Sequence, residues 1–175
     1  MASIIENLIT ELNEEYTLYE QLLQVSMEKT SAIVSNSLDR LGETTQKEQA
    51  LADALASVEH RRRETLGNVA NILGRRPEDV KVMDVVTFLE GQPDFHDPLL
   101  AINEKLAKLA RKVREVNGHN KVLIEEALEM IEYNINLVQN LNRAPETAEY
   151  SRDMFKGNAA YAGTGEQPGR FDVQN

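Results

Sequence analysis

From Ile5 to Ile33 the positions Ile5, Ile9, Leu12, Tyr16, Tyr19, Leu23, Ser26, Thr30 and Ile33 fall alternately four and three residues apart. This is the heptad spacing of a helix that buries one seam, and it predicts a helix from about Ile4 to Ser35. Leu8, Leu22, Met27 and Val34 widen the stripe, as in a helix packed against more than one neighbour. Three small polar residues, Ser35-Asn36-Ser37, interrupt the pattern, and Asn36 with Asp39 three residues later has the form of an N-cap followed by a first-turn acid. A second helix is predicted from there, with the seam Leu38, Leu41, Thr45, Glu48, Ala52, Leu55, Arg62, Leu66, Val69 and Leu73, and with Leu51, Val58 and Ile72 alongside. Gly74 stands where a left-handed glycine ends a helix, and Pro77 prevents its resumption.

Arg75 to Phe95 reads as a connection in which Pro77-Glu78-Asp79 can form one helical turn. Val82 to Glu90 is short and densely apolar; it is read as a small helix, with a buried strand as the alternative because of its valines and phenylalanine. Asp97-Pro98 is a capping acid followed by proline at a first helical position. From there Leu99, Ile102, Leu106, Leu109, Val113, Val116, Asn120, Leu123, Ala127, Met130, Asn134, Leu137 and Leu141 alternate three and four without a slip. A helix from Pro98 to Asn142 is roughly 65 Å long against about 50 Å for the first two, so it is expected to overhang them. Gly118 costs about 1 kcal/mol inside it and allows a bend. Arg143 to Asn175 holds four of the nine glycines and loses helical period after Phe155. The expected fold is therefore all-α: an elongated antiparallel helical bundle or coiled coil of three long helices plus one short helix over residues 1–142, and a flexible C-terminal tail over 143–175.

At 175 residues the chain has length for one domain and its tails. Aromatics are 5% and Trp is absent, so the core must be built from aliphatic side chains. Without Cys there is no disulfide framework and no thiolate ligand or nucleophile, which suits a reducing compartment. A net charge of -10 repels phosphate backbones and anionic lipid, which argues against nucleic acid as the partner. Arg61-Arg62-Arg63 is read as a solvated face with one Arg turned toward the seam. The acidic residue at Glu6 and the lack of a basic n-region argue against a secretory signal. No window is apolar enough for a membrane span, so a soluble protein without membrane insertion, not exported by the general route, is expected.

The ingredients of catalysis do not assemble. His60, His96 and His119 lie in different segments, and no Glu-x-x-His pair exists for a di-iron bundle. Glu115 and His119 share a helix face, but two ligands are too few for a structural metal site. Glu125, Glu126, Glu129 and Glu132 lie mostly off the seam as a solvated face, and Gly163-Thr164-Gly165 has neither the strand nor the helix of a phosphate loop. No enzyme, no cofactor and no metal are expected.

The surplus lies in apolar surface. Ile124, Leu128, Ile131, Ile135 and Val138 form a second stripe beside the seam in the C-terminal half of the last helix. Two readings stay open: a partner-binding surface, or a face covered by a third neighbour such as the Val82 to Leu89 helix. Asn120 and Asn134 occupy seam positions, where a polar residue fixes register or partner, or reaches solvent near a helix end. In the tail, ordering fifteen residues costs roughly 15 to 30 kcal/mol. Burying Tyr150, Met154, Phe155, Tyr161, Phe171 and Val173 returns roughly 9 to 18 kcal/mol. The tail is thus expected to order only on a partner, with Tyr150, Phe155, Tyr161 and Phe171 as candidate contacts.

The run Glu11-Leu12-Asn13-Glu14-Glu15-Tyr16-Thr17-Leu18-Tyr19-Glu20-Gln21-Leu22-Leu23, the break at Asn36 and the Leu73-Gly74 stop resemble the FlgN family. So does the ending: Asn117, Asn120, Leu123, Ile124, Ala127-Leu128, Ile131 and Asn136-Leu137-Val138, then a Gly-containing tail closing on Arg170-Phe171-Asp172-Val173. The resemblance implies a cytoplasmic flagellar export chaperone of type III secretion. Such a protein binds the terminal helices of hook-filament junction proteins, prevents their premature assembly and delivers them to the export apparatus. It implies helix-in-groove recognition at the second half of the last helix. It also implies contact between a tail tyrosine and an export gate component, for which Tyr150 or Tyr161 is the match. Whether the chain is a homo-oligomer stays open. The alternative class is a self-associating structural coiled coil without a client.

Overall fold

The computed structural model describes residues 2–143, and among them every regular element is helical. In chain order these are α1 (Ala2–Val34), α2 (Leu38–Leu73), a single 3-10 turn (Pro77–Asp79), α3 (Val82–Phe88) and α4 (Pro93–Arg143). The chain divides into two units, Met1–Leu128 and Glu129–Asn175. No helix among the described residues is long and apolar enough to cross a membrane.

In the first unit α1 and α2 form an antiparallel hairpin, as the order of their cross-links requires: Glu11 meets Thr65, Glu15 meets Arg62 and Lys29 meets Glu48. The turn between them corrects the reading of Asn36 as an N-cap. Asn36 has φ 50° and closes α1: its N–H donates to the Ile33 carbonyl at 3.0 Å, and the Ser37 N–H donates to the Ala32 carbonyl at 3.0 Å. The N-cap of α2 is Ser37, whose side chain makes no capping bond. Asn is among the few residues that accept the left-handed region, so the small polar run ends one helix more than it starts the next. The end of α2 repeats the device with Gly74 at φ 65°, whose N–H reaches the Asn71 carbonyl while that of Arg75 reaches Ala70. Nothing lies within 4 Å of a Cβ placed on Gly74, so the cost of a side chain there is conformational alone. Gly74→Ala is expected to lower stability by about 1–2 kcal/mol in a denaturant titration.

The seam of α2 differs from the expected one in its first half. Thr44 is buried while Thr45, Ala52 and Leu38 are exposed, so the packed positions are Leu41, Thr44, Glu48, Leu51, Leu55, Val58, Arg62, Thr65 and Val69. This set also alternates three and four. Four of its members are polar and find partners on α1 or on the helix itself, which hides the period from a reading based on apolar residues.

The apolar segment Val82 to Leu89 folds as the helix α3, capped by Asp84, whose carboxylate accepts the Lys81 N–H at 2.8 Å. Its buried side chains, Val82, Val85, Val86 and Leu89, join Ile5, Leu8, Leu12, Leu66, Val69, Leu99 and Ile102 in one core. α4 begins at Pro93 rather than Pro98. Pro93 takes the first-turn position, Phe95 packs on the core, and Pro98 lies inside the helix, where it forgoes one backbone bond. Core contact by Phe95 draws the extra turn into the helix against the local preference for starting at Asp97-Pro98. Gly118 lies within α4 without interrupting it.

Candidate functional site

Two polar clusters hold the first unit together, and both use side chains at seam positions, Arg62 in one and Ser26, Thr30, Glu48 and Asn120 in the other. At the α1–α2 interface Glu15, with its side chain 3% exposed, accepts a 2.7 Å bond from Arg62 Nε, and Glu11 Oε1 accepts one of 2.9 Å from the Thr65 hydroxyl. Glu11 Oε2 is buried without a partner among the described residues. Beside them Arg61 pairs with Glu14, and Arg63 with Glu59, so the arginine triplet is a partly solvated face with Arg62 turned inward. Burial pushes the Glu15 carboxyl above its ordinary value of 4.5 by more than the Arg62 hydrogen bond and charge pull it down. The native state therefore holds an extra proton in the window above pH 4.5. The contribution of Glu15 is fully present below that pH and is lost as pH rises through the folded-state value. Arg62→Ala is expected to cost about 1–3 kcal/mol near neutral pH, less than a fully enclosed pair because water reaches Arg62. The deficit relative to wild type is expected to shrink on acidification toward pH 4.5, as paired thermal melts across that range would show.

The second cluster joins all three long helices. Asn120 of α4 is 3% exposed; its Oδ1 accepts a 2.6 Å bond from the Thr30 hydroxyl, and its Nδ2 donates to the Ser26 carbonyl at 2.8 Å. Ser26 Oγ donates to Glu48 of α2 at 3.2 Å, and Glu48 is paired with Lys29 at 2.7 Å. An open groove of about 360 Å³ lies over this cluster, lined by Asn117, Lys121, Ile124 and Glu125 as well. Both carbonyl and amide of Asn120 are satisfied by α1, so this seam asparagine fixes α4 in one register against the hairpin.

Beyond Asn120 the burial of α4 falls away. In the first unit Leu123, Ile124 and Ala127 are half-buried and Leu128 is exposed. In the second unit every side chain described from Glu129 to Leu141 is exposed. The stripe residues Leu128, Ile131, Ile135 and Val138 are 50–56% exposed. The seam residues Met130, Asn134, Leu137 and Leu141, expected to be packed, are open as well. Seam periodicity thus persists where burial does not. The buried side chains of the Val82 to Leu89 segment lie in the core with Leu99 and Ile102.

The side chains of this surface are aliphatic groups, amides and hydrated carboxylates. Glu125, Glu126, Glu129 and Glu132 are exposed, and among the described residues no group of three His, Cys, Asp or Glu is placed to hold a metal. Such a surface can remove apolar area from water on a partner. The four tail candidates, Tyr150, Phe155, Tyr161 and Phe171, lie outside the described residues.

Fold and surface together define a helical-bundle protein that presents an unpacked apolar helix face. A family model described as FlgN protein matches residues 1–153, and the chain belongs to the FlgN family of flagellar export chaperones, a chaperone family rather than an enzyme family. No curated protein and no solved structure matches it.

Proposed function

We propose that this chain binds the terminal helices of hook-filament junction proteins in the cytoplasm, keeps them from assembling before export, and delivers them to an export gate component of the flagellar type III apparatus. The observation that carries the reading is the exposure of Leu128, Ile131, Ile135 and Val138 on a helix whose earlier seam is buried or half-buried. An amphipathic client helix laid along that face buries its own apolar stripe and these side chains at once, which removes the surface through which clients would bundle. Ile124 supplies the half-buried start of the contact. Tyr150, Phe155, Tyr161 and Phe171 supply further contacts to client or gate.

The family places the protein in flagellar export; the client class and the face are the proposal. Hydrogen exchange on the free chain and on its mixture with a purified hook-filament junction protein tests both. New protection is expected over 124–141, with little change in the α1–α2 hairpin. Protection confined to the hairpin, or none at saturating client, would overturn the assignment.

A further inference from the structure

The charges beside the apolar face are unevenly distributed along α4. Glu125, Glu126, Glu129 and Glu132 fall within two turns, whereas residues 133–142 contain no charged side chain and are rich in Asn and Gln. By helical periodicity Glu125 and Glu132 lie beside the stripe and Glu126 lies at the other apolar edge, beside Met130. All four carboxylates are exposed, and among the described residues only Glu125 has a cation near it, Lys121 at 3.9 Å. The face is therefore acid-rimmed at one end and neutral at the other.

We infer that its occupant is an amphipathic helix carrying Lys or Arg beside its apolar stripe at the end that meets 125–132, and uncharged polar residues at the end that meets 133–142. Apolar contact supplies affinity without direction. Charge confined to one end supplies the direction, because reversing the partner leaves its cations over an amide-rich surface and the carboxylates without counter-charge. A second copy of this chain fits worse: residues 122–142 hold no Lys or Arg to set against the carboxylates, and the copy adds a body of net charge -10. This inference rests on the binding face proposed above and adds the chemistry of what it takes.

The test uses the full chain and three fluorescent peptides with one apolar heptad pattern, flanked in one half by Lys, by Glu or by Gln. Anisotropy titrations at low salt are expected to show the Lys peptide binding at least about tenfold more tightly than the Glu peptide, the gap closing at about 1 M salt where the screening length is near 3 Å. The variant E125Q/E129Q/E132Q is expected to lose that preference. A control with the same charge change elsewhere, E43Q/D53N/E104Q, is expected to keep it. Equal binding of all three peptides overturns the charge inference and leaves the apolar face standing; a preference lost equally in both variants assigns it to net charge and overturns the inference as well. Failure of every peptide to bind overturns both. Light scattering on the free chain covers the remaining occupants: mass rising with concentration, or exchange protection of 129–141 in a monomer, shows the face taken by a second copy or by the chain's own C-terminal residues, and either result overturns the inference.

Discussion

Leu12→Ala is expected to lower the unfolding free energy by about 3–5 kcal/mol, in the upper part of the range for buried leucine truncations. Leu12 is 1% exposed and belongs to the cluster to which α1, α2, α3 and α4 all contribute, Leu66 and Val69 from α2 and Leu99 and Ile102 from α4 among them. Four elements that brace one another cannot collapse into the space a leucine leaves, so the cavity persists and adds to the lost transfer energy. For a chain of this size the loss corresponds to a fall in Tm of roughly 6–20 °C. Leu55 is 8% exposed and lies outside that cluster, so Leu55→Ala is expected to cost less, about 2–3 kcal/mol. Leu141→Ala, at a seam position of identical spacing but 65% exposed, is expected to change stability by no more than about 0.5 kcal/mol. Thermal melts of the three variants separate a packed seam from one that only has the period.

That contrast also marks what the sequence can and cannot show. Helices were legible because heptad spacing is a property of each segment by itself. Their ends were less so. Asn36 and Asp97-Pro98 both carry start signals, but the left-handed backbone at Asn36 and the packing of Phe95 on the core decide the boundaries instead. Polar seam residues were the least legible part. Thr44 and Thr65 look like solvent positions, yet Thr44 is buried with its hydroxyl on its own helix's carbonyls and Thr65 meets Glu11, while Glu48 stands in the seam by spacing and finds Ser26 and Lys29 there. The signal that could have found them is the unbroken three-four alternation from Leu41 to Val69 counted without regard to polarity. For the candidate site the stripe was legible as five apolar positions, and its exposure was not, since spacing along one helix does not say what packs against it. Asn120 and Asn134 show the same limit: both sit in the seam by spacing, yet Asn120 is bonded in the interior and Asn134 is open.

Under the proposed function the exposed face of α4 binds a client and contributes nothing to the packing of the bundle. Leu128→Glu with Ile135→Glu tests it in one protein, because both side chains are at least half exposed and the two positions share one helix face seven residues apart. Affinity for a hook-filament junction protein and thermal stability are measured on the same preparation, by titration calorimetry and circular dichroism. Placing two carboxylates in the desolvated centre of the interface is expected to weaken binding at least about 100-fold, or about 2.8 kcal/mol. Helix content and Tm are expected to stay at their wild-type values, as for surface substitutions away from the core. A double variant that binds the client normally, or one that melts far below wild type before any client is added, would contradict the account.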